Sequence, residues 1–156
     1  MERTLDLLEV RREIEIAASQ ETVWKLLTDP AKAPTWWGQN ATFDLREDGK
    51  FRMEVSSGSI ASGKFTEIEE PRRLAFTFGW EKGGAGPELL PAGSSTVQIE
   101  LVPTDTGTLL RLVHWGLPNA ESVTSHGEGW DHYLGRLATV ASGCDPGPDP
   151  WATRAA

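Results

Sequence analysis

The feature that most constrains the fold of this chain is a series of short segments in which apolar and polar residues alternate, each bounded by turn residues. Seven segments carry this strand pattern, and Asp48-Gly49 is a strong hairpin signal between two of them. The alternation is clearest in "KFRMEV", "RLAFTFGW", "TVQIELVP" and "TLLRLVHW". Strands joined by hairpins pair antiparallel and present one apolar and one solvated face, so we predict an antiparallel sheet.

Helical spacing is found in three further segments. Ser19 can cap a short helix that begins at Gln20 and ends before Pro30, and the stretch 30–37 is interpreted as a second short helix or a turn. A long amphipathic helix is predicted over about 122–141. Its apolar residues recur at steps of three and four: Trp130, Tyr133, Leu134, Leu137 and Ala141. The order of strand, two short helices, six strands and long helix is typical of the α+β class.

The chain is predicted to form one domain over residues 1–142. Its total of 156 residues is enough for a single domain with a substantial core. Residues 82–95 are rich in glycine and proline and indicate a long loop. Residues 143–156 are rich in proline and lack any periodicity, so we expect a flexible tail there.

Composition and charge exclude several classes of partner. The formal net charge of −8 argues against binding to nucleic acid or to an anionic membrane surface, because both require basic patches. No run of eighteen apolar residues is present, so no membrane insertion is expected. The single cysteine, Cys144, and the charged N-terminal stretch predict a cytoplasmic protein. Exposed strand edges and outer apolar residues such as Leu109 and Val113 are compatible with a homodimer.

Five segments follow one another along the chain in an order that carries a resemblance: "VWKLLTDP", the "WW" after it, "EEPRRLAFTF", "TGTLLRLVH" and "HGEGWDHYLGRLA". Over roughly residues 8–142 the chain resembles the activator-of-heat-shock-protein-ATPase homologues (AHSA-type) of the START-like, or SRPBCC, superfamily. The resemblance implies a Bet v 1-like helix-grip fold. In that fold a curved antiparallel sheet of about seven strands surrounds a long C-terminal helix, and two short helices follow the first strand.

The resemblance also implies a function. Members of the superfamily commonly bind a hydrophobic small molecule between the sheet and the helix, so we predict non-catalytic binding of a small hydrophobic or aromatic ligand, without a cofactor. One alternative is a polyketide cyclase-, dehydratase- or hydrolase-like enzyme acting in the same cavity, with His114 as general base. The other is a co-chaperone-type interaction protein. A chaperone partner is not expected, because the co-chaperone's separate N-terminal domain is missing here.

The candidate ligand contacts share an inward direction on the strands and helices. They are Trp24, Trp37, Phe51, Met53, Phe65, Phe78, Trp80, Leu112, His114, Trp130, Tyr133 and Leu134. A lone inward histidine such as His114 is usually a hydrogen-bonded core residue, but in a wet cavity it would give polar specificity together with Tyr133. Trp36 and Trp37 are interpreted either as a lid packed on the core or as a gate to the pocket.

Catalytic and metal-binding residues are not predicted. The chain has no Gly-x-Ser-x-Gly elbow, and its serines have no evident histidine and aspartate partners. His126 and His132 are six residues apart, so they point to different faces of an ideal helix and cannot share a metal. Gly127 and Gly129 are more simply explained as small residues that let the helix pass close to the sheet or loops.

Overall fold

The computed structural model describes residues 8–81 and 90–151, and within them seven strands form one antiparallel sheet. The strands are β1 (Glu9–Ile16), β2 (Asn40–Phe43), β3 (Lys50–Ser56), β4 (Ser59–Glu69), β5 (Arg73–Phe78), β6 (Ser95–Thr104) and β7 (Gly107–Trp115). Their order across the sheet is β1-β7-β6-β5-β4-β3-β2, which leaves β1 and β2 at the edges. Helix α1 (Gln20–Thr28) and a 3₁₀ turn (Ala33–Thr35) follow β1, and α2 (Ala120–Ala141) follows β7.

This architecture confirms the predicted helix-grip fold of the α+β class. The sheet is curved, and register shifts between β3 and β4 and between β4 and β5 show where its strands bend. Helix α2 packs along β1 and also contacts α1. The predicted loop 82–95 is described only from residue 90 onward, and residues 82–89 lie outside the described part of the chain.

The strand register explains why the apolar parity of the sequence forms a core. Across β6 and β7, Ile99 pairs with Leu112 and Val97 pairs with His114, so all four side chains point to the same face. Each of the three aliphatic side chains is at least 97% removed from solvent. Full burial of one such side chain contributes about 1.5–3 kcal/mol, which makes this register strongly preferred over one shifted by a residue.

The helix boundaries follow from side-chain capping. Ser19 accepts a hydrogen bond from the Thr22 backbone N–H and starts α1, as predicted. Helix α2 begins at Ala120, two residues earlier than predicted, because the Asn119 side chain accepts from the Ser122 backbone N–H at 2.8 Å. The sequence interpretation overlooked this asparagine cap.

Arg12 fixes α2 on the edge strand β1. Its side chain has the inward parity of β1, and its Nε donates to Asp131 Oδ1 of α2 at 2.6 Å. A Cβ on Gly127 would lie 2.7 Å from Arg12 Nη2, so the small residue leaves room for the guanidinium. A Cβ on Gly129 would meet nothing within 4 Å, so a steric reason applies to Gly127 and not to Gly129.

The described part of the predicted flexible tail, residues 143–151, lies against α2. The Trp151 ring stacks on His132 with centroids 4.0 Å apart, and His132 Nε2 donates to Asp149 Oδ1 at 2.8 Å. Arg136 donates to the Gly147 carbonyl at 3.0 Å. These contacts give the segment a defined path although its sequence has no periodicity. Residues 152–156 lie outside the described part of the chain.

Within the described residues, no helix combines the length and apolar character that a membrane span requires.

Candidate functional site

A continuous cluster of aromatic rings lies between the inner face of the sheet and α2. Trp37 is central in it, with ring centroids 5.4 Å from Trp130, 5.8 Å from Phe51 and 6.5 Å from Phe78. The same cluster also contains Phe43, Phe65 and Phe76. Rings at these separations are in contact, so the chain's own side chains occupy the centre of the predicted cavity.

Trp36 and Trp37 both point into the protein. Their rings stack with centroids 5.5 Å apart, and each side chain is buried. Trp36 Nε1 donates to the Leu26 carbonyl of α1 at 2.8 Å, which fixes that ring against α1. The pair therefore forms a packed lid over this end of the core, and the alternative in which one ring lies at the pocket mouth is not supported.

His114 is fully buried and fully hydrogen-bonded. Trp130 Nε1 donates to its Nδ1 at 3.1 Å, so Nδ1 is an acceptor and the ring proton is on Nε2. Nε2 lies 2.8 Å from Ser95 Oγ and donates to it, and that hydroxyl donates onward to the Phe78 carbonyl at 2.6 Å. Every polar atom in this chain of contacts has a partner inside the protein.

A second histidine, His126, lies beside His114 with ring centroids 5.3 Å apart. Its Nδ1 donates to the Ser122 carbonyl one turn earlier in α2, at 2.8 Å. Its Nε2 accepts from Trp80 Nε1 at 3.2 Å. The two histidines thus repeat one arrangement, in which an indole N–H donates to a neutral imidazole and the imidazole donates to an oxygen.

Burial keeps both imidazoles neutral. Desolvation, and to a smaller extent the neighbouring His126, lowers the pKa of His114 from its usual 6.5 to about 3. Desolvation also lowers the pKa of His126, partly offset by the hydrogen bond to the Ser122 backbone. If either histidine were protonated, its ring would direct an N–H toward an indole N–H. Geometry and solvation therefore both favour the neutral imidazole.

The geometry does not favour His114 as a general base. Such a base needs a free lone pair within reach of a substrate proton and a pKa near the working pH. The Nδ1 lone pair of His114 is already used by Trp130, and its pKa of about 3 is far below neutrality. His114 instead determines the positions of Trp130 and Ser95.

The structure brings seven of the twelve predicted contacts into this ring cluster. They are Trp37, Phe51, Phe65, Phe78, Trp80, His114 and Trp130. The others are buried in the surrounding core: Trp24, Met53, Leu112, Tyr133 and Leu134. The ring of Tyr133 contacts His132 and Trp151, at 4.8 and 6.0 Å, and so lies on the side of the C-terminal segment.

Sequence reasoning missed the role of His126. In the sequence it stands out only as a possible metal ligand together with His132. His126 precedes Trp130 by four residues, and residues four apart share one face of a helix, so this spacing could have identified it as inward-facing. His126 and His132 do point to different surroundings, namely Trp80 and Asp149. In the described part of the chain, no three His, Cys, Asp or Glu side chains converge as metal ligands would.

The outer face of the sheet carries a separate groove of about 460 Å³ across β1, β7 and β6. Ion pairs run along this face: Arg111 reaches Glu13 at 2.9 Å and Glu100 at 3.7 Å. Arg73 extends the row to Glu67 at 3.2 Å. The alternating charges compensate one another, so the face is polar without a strong field of one sign.

Comparison with known proteins gives a family and several structural neighbours. Residues 17–142 match the family model described as Activator of Hsp90 ATPase homolog 1-like protein. An AHSA1-like protein from Rhizobium etli is 45% identical, with a TM-score of 0.72 over 95% of this chain and 90% of that chain. No curated protein matches the chain.

Two further solved structures are similar in fold alone. DynU16, described as a protein in the dynemicin biosynthetic locus, has a TM-score of 0.73 at 21% identity, over 88% of this chain and 49% of that chain. The Aha1 dimer from Colwellia psychrerythraea has a TM-score of 0.73 at 17% identity, over 90% of this chain and 98% of that chain.

Proposed function

The chain belongs to the family of Activator of Hsp90 ATPase homolog 1-like proteins, and we propose that it binds a small hydrophobic or aromatic molecule between the sheet and α2. The observation that carries this proposal is the ring cluster around Trp37, which continues without interruption to Trp130, Phe78 and Trp80. Aromatic walls with few polar groups are typical of small-molecule sites.

The electrostatics of the interior support an uncharged ligand. His114 and His126 are neutral and hydrogen-bonded to the protein, so they offer no charge to a ligand. A charged ligand would lose its hydration without gaining a partner of opposite charge here. Flat apolar molecules lose little on leaving water, and they would enter where the ring cluster is only partly buried, at Trp80.

Tryptophan fluorescence tests the proposal directly. Naphthalene as a probe should give a saturable change in emission, because Trp37 and Trp130 lie in the proposed site. Trp37→Phe and Trp130→Phe should each reduce the amplitude of that change. Trp115→Phe is the matched control, since Trp115 is 38% exposed on β7, away from the ring cluster, and should leave the amplitude unchanged.

Native mass spectrometry of the protein taken from cells supplies the second measurement. A bound species of a few hundred daltons that is lost on unfolding would support the proposal and begin to identify the ligand. The absence of both a co-purified species and any saturable response to naphthalene would contradict it.

We further propose that the chain forms a homodimer through the outer face of β7. Val113 borders the groove there and Trp115 is exposed, and a structural neighbour is described as a dimer. Light scattering after size-exclusion chromatography should give twice the chain mass, and Val113→Arg should give the monomer. Leu45→Arg, at an exposed position outside this face, is the control. A monomer at all concentrations would contradict the proposal.

A further inference from the structure

We propose that the Trp80 side chain occupies a ligand subsite, and that the natural ligand is a flat aromatic molecule with one N–H or O–H donor that replaces the indole on His126. The inference rests on the proposed function and specifies the ligand class. It starts from the observation that Trp80, which donates a hydrogen bond to His126, is only partly buried at the edge of the ring cluster.

The backbone at Trp80 is fixed while its ring lies at the edge of the core. The backbone N–H of Trp80 donates to the Leu90 carbonyl at 2.9 Å, and isolated bridges join Trp80 to Ala61 and Pro91. The side chain is only partly buried. A rotation about the side-chain torsions would therefore move the ring toward solvent without breaking any strand of the sheet.

His126 presents a hydrogen-bond acceptor to whatever ring lies beside it. Its single proton is held on Nδ1 by the Ser122 carbonyl at 2.8 Å, so the lone pair of Nε2 faces the Trp80 indole. If Trp80 moves away, this lone pair loses its hydrogen-bond donor within the protein, which is unfavourable. A ligand that restores a donor at this position avoids that loss, whereas an apolar ligand does not.

The walls beside Nε2 favour a flat ring. Phe78 contacts both Trp80 and His126 edge-to-face, at centroid distances of 5.4 and 6.1 Å. His114 lies behind His126 at 5.3 Å and is also neutral. The nearest charged side chain along the chain, Glu81, accepts from Arg52 Nε and Nη2 at 3.0 and 3.1 Å. As far as the described residues show, the subsite is therefore apolar with one acceptor.

Trp130 shows why only one of the two indoles is exchangeable. It makes the same kind of hydrogen bond to His114, but it is 4% exposed and its ring contacts Trp37 and Phe78 as well. Releasing Trp130 would open the centre of the core. Releasing Trp80 opens only its edge, which is the path by which a ligand reaches the ring cluster.

Indole and benzofuran are the probes, because they have nearly the same shape and only indole has an N–H donor. Calorimetric titration of Trp80→Ala should give about tenfold tighter binding of indole than of benzofuran, the effect of one hydrogen bond to a buried acceptor. In Trp80→Ala/His126→Phe, which keeps a ring at position 126 but removes the acceptor, the two affinities should become equal.

The wild-type protein tests whether Trp80 is displaced. In a ¹⁵N-labelled sample, the indole N–H resonance of Trp80, assigned with Trp80→Phe, should shift on addition of indole and saturate. Trp80→Phe keeps a ring without the hydrogen bond to His126, so it should bind indole more tightly than the wild type. It also serves as the test variant if Trp80→Ala does not fold.

The outcomes separate this inference from the proposed function. Equal binding of indole and benzofuran in Trp80→Ala would overturn the inference, and so would an unchanged Trp80 resonance at saturating indole. In either case, saturable naphthalene binding would still support the proposed function. The absence of saturable binding of both naphthalene and indole would overturn the proposed function, and the inference that rests on it would fail as well.

Discussion

At the scale of single residues, two indole-to-imidazole hydrogen bonds organise the polar part of the interior. Trp130 donates to His114 and Trp80 donates to His126. Each imidazole uses its other nitrogen as a donor, to Ser95 in one case and to the Ser122 carbonyl in the other. Since a buried polar group without a partner costs about 1–3 kcal/mol, each histidine and its tryptophan stabilise the fold as a pair.

The pairing of His114 with Trp130 can be measured in a double-mutant cycle. His114→Leu removes the acceptor of the Trp130 N–H and the donor to Ser95, so urea unfolding should show a loss of about 2–4 kcal/mol in the free energy of unfolding. Trp130→Phe should also destabilise, because His114 Nδ1 loses its donor. The double variant should lose about 1 kcal/mol less than the sum. Strict additivity would show that the hydrogen bond contributes nothing.

The two histidines differ in how much the sequence predicts about them. The inward direction of His114 follows from the parity of β7, since Leu110 and Leu112 share it. The partner of His126 lies 46 residues away in sequence at Trp80. Such a contact depends on how the end of β5 crosses the start of α2, and no local pattern encodes that crossing.

At the scale of elements, glycines in the sheet and in α2 have opposite roles. A Cβ on Gly79, next to the end of β5, would lie 1.7 Å from the Pro91 carbonyl oxygen. A Cβ on Gly135, exposed in α2, would meet nothing within 4 Å. Close approach of two backbones requires the first glycine, whereas the second only weakens its helix.

Alanine substitutions at these two glycines should therefore change stability in opposite directions. Gly135→Ala should raise the free energy of unfolding by about 0.5–1 kcal/mol, because alanine loses less backbone entropy in a helix. Gly79→Ala should lower it by more than about 3 kcal/mol, because the Pro91 backbone has to move. Urea unfolding of both variants measures the difference. A stabilising Gly79→Ala would contradict the close approach of the two segments.

The C-terminal segment should stabilise α2 through its contacts with His132. Trp151→Ala removes the ring stacked on His132, and we expect the free energy of unfolding to fall by about 1–2 kcal/mol. Amide hydrogen exchange of residues 144–151 and of the end of α2 should become faster. Cys144→Ser, at an exposed position of the same segment, is the control and should change neither quantity. Equal exchange in Trp151→Ala and wild type would show that the stack does not hold the segment.

Most elements could be predicted from periodicity, and the exceptions occur where tertiary contacts end an element. The alternation of "RLAFTFGW" extends to Trp80, but β5 ends at Phe78. Beyond Phe78 the continuous strand pairing stops, and Trp80 forms only isolated bridges to Ala61 and Pro91. The path of residues 144–151 could not be predicted either. It depends on Asp149 and Trp151 meeting His132, which lies on a different element.

At the scale of the whole molecule, the outer face of the sheet is charged while the ring cluster is neutral. The net charge is −8, and on the outer face the carboxylates alternate with Arg111 and Arg73. In the ring cluster, the titratable groups are two uncharged imidazoles. Acidification therefore acts on the two regions differently: it neutralises the outer carboxylates and tends to place positive charge inside.

The direction of the acid effect follows from the two histidine pKa values. In the folded protein His114 stays unprotonated down to about pH 3, whereas the unfolded chain binds a proton near the ordinary pKa of 6.5. The unfolded state thus binds more protons between these values, and stability falls as the pH falls through that window. His126 has a lowered pKa and acts in the same direction. Glu81, whose pKa is lowered mainly by its hydrogen bond to Arg52, adds its own loss only below about pH 4.5.

Between pH 7.5 and 5.5 the histidines should therefore dominate the change in stability. His114 should cost the wild type about 1.4 kcal/mol over this interval, which urea unfolding at three pH values can resolve, and His126 acts in the same direction. His114→Leu should lose the part of this pH dependence that His114 contributes, even though it is less stable at every pH. His126→Gln is a second test, because its amide oxygen can still accept from Trp80 but does not titrate. If the unfolding free energy falls equally with pH in the wild type and in both variants, the two imidazoles are not the groups being protonated. The neutral interior on which binding of an apolar ligand depends would then lose its main support.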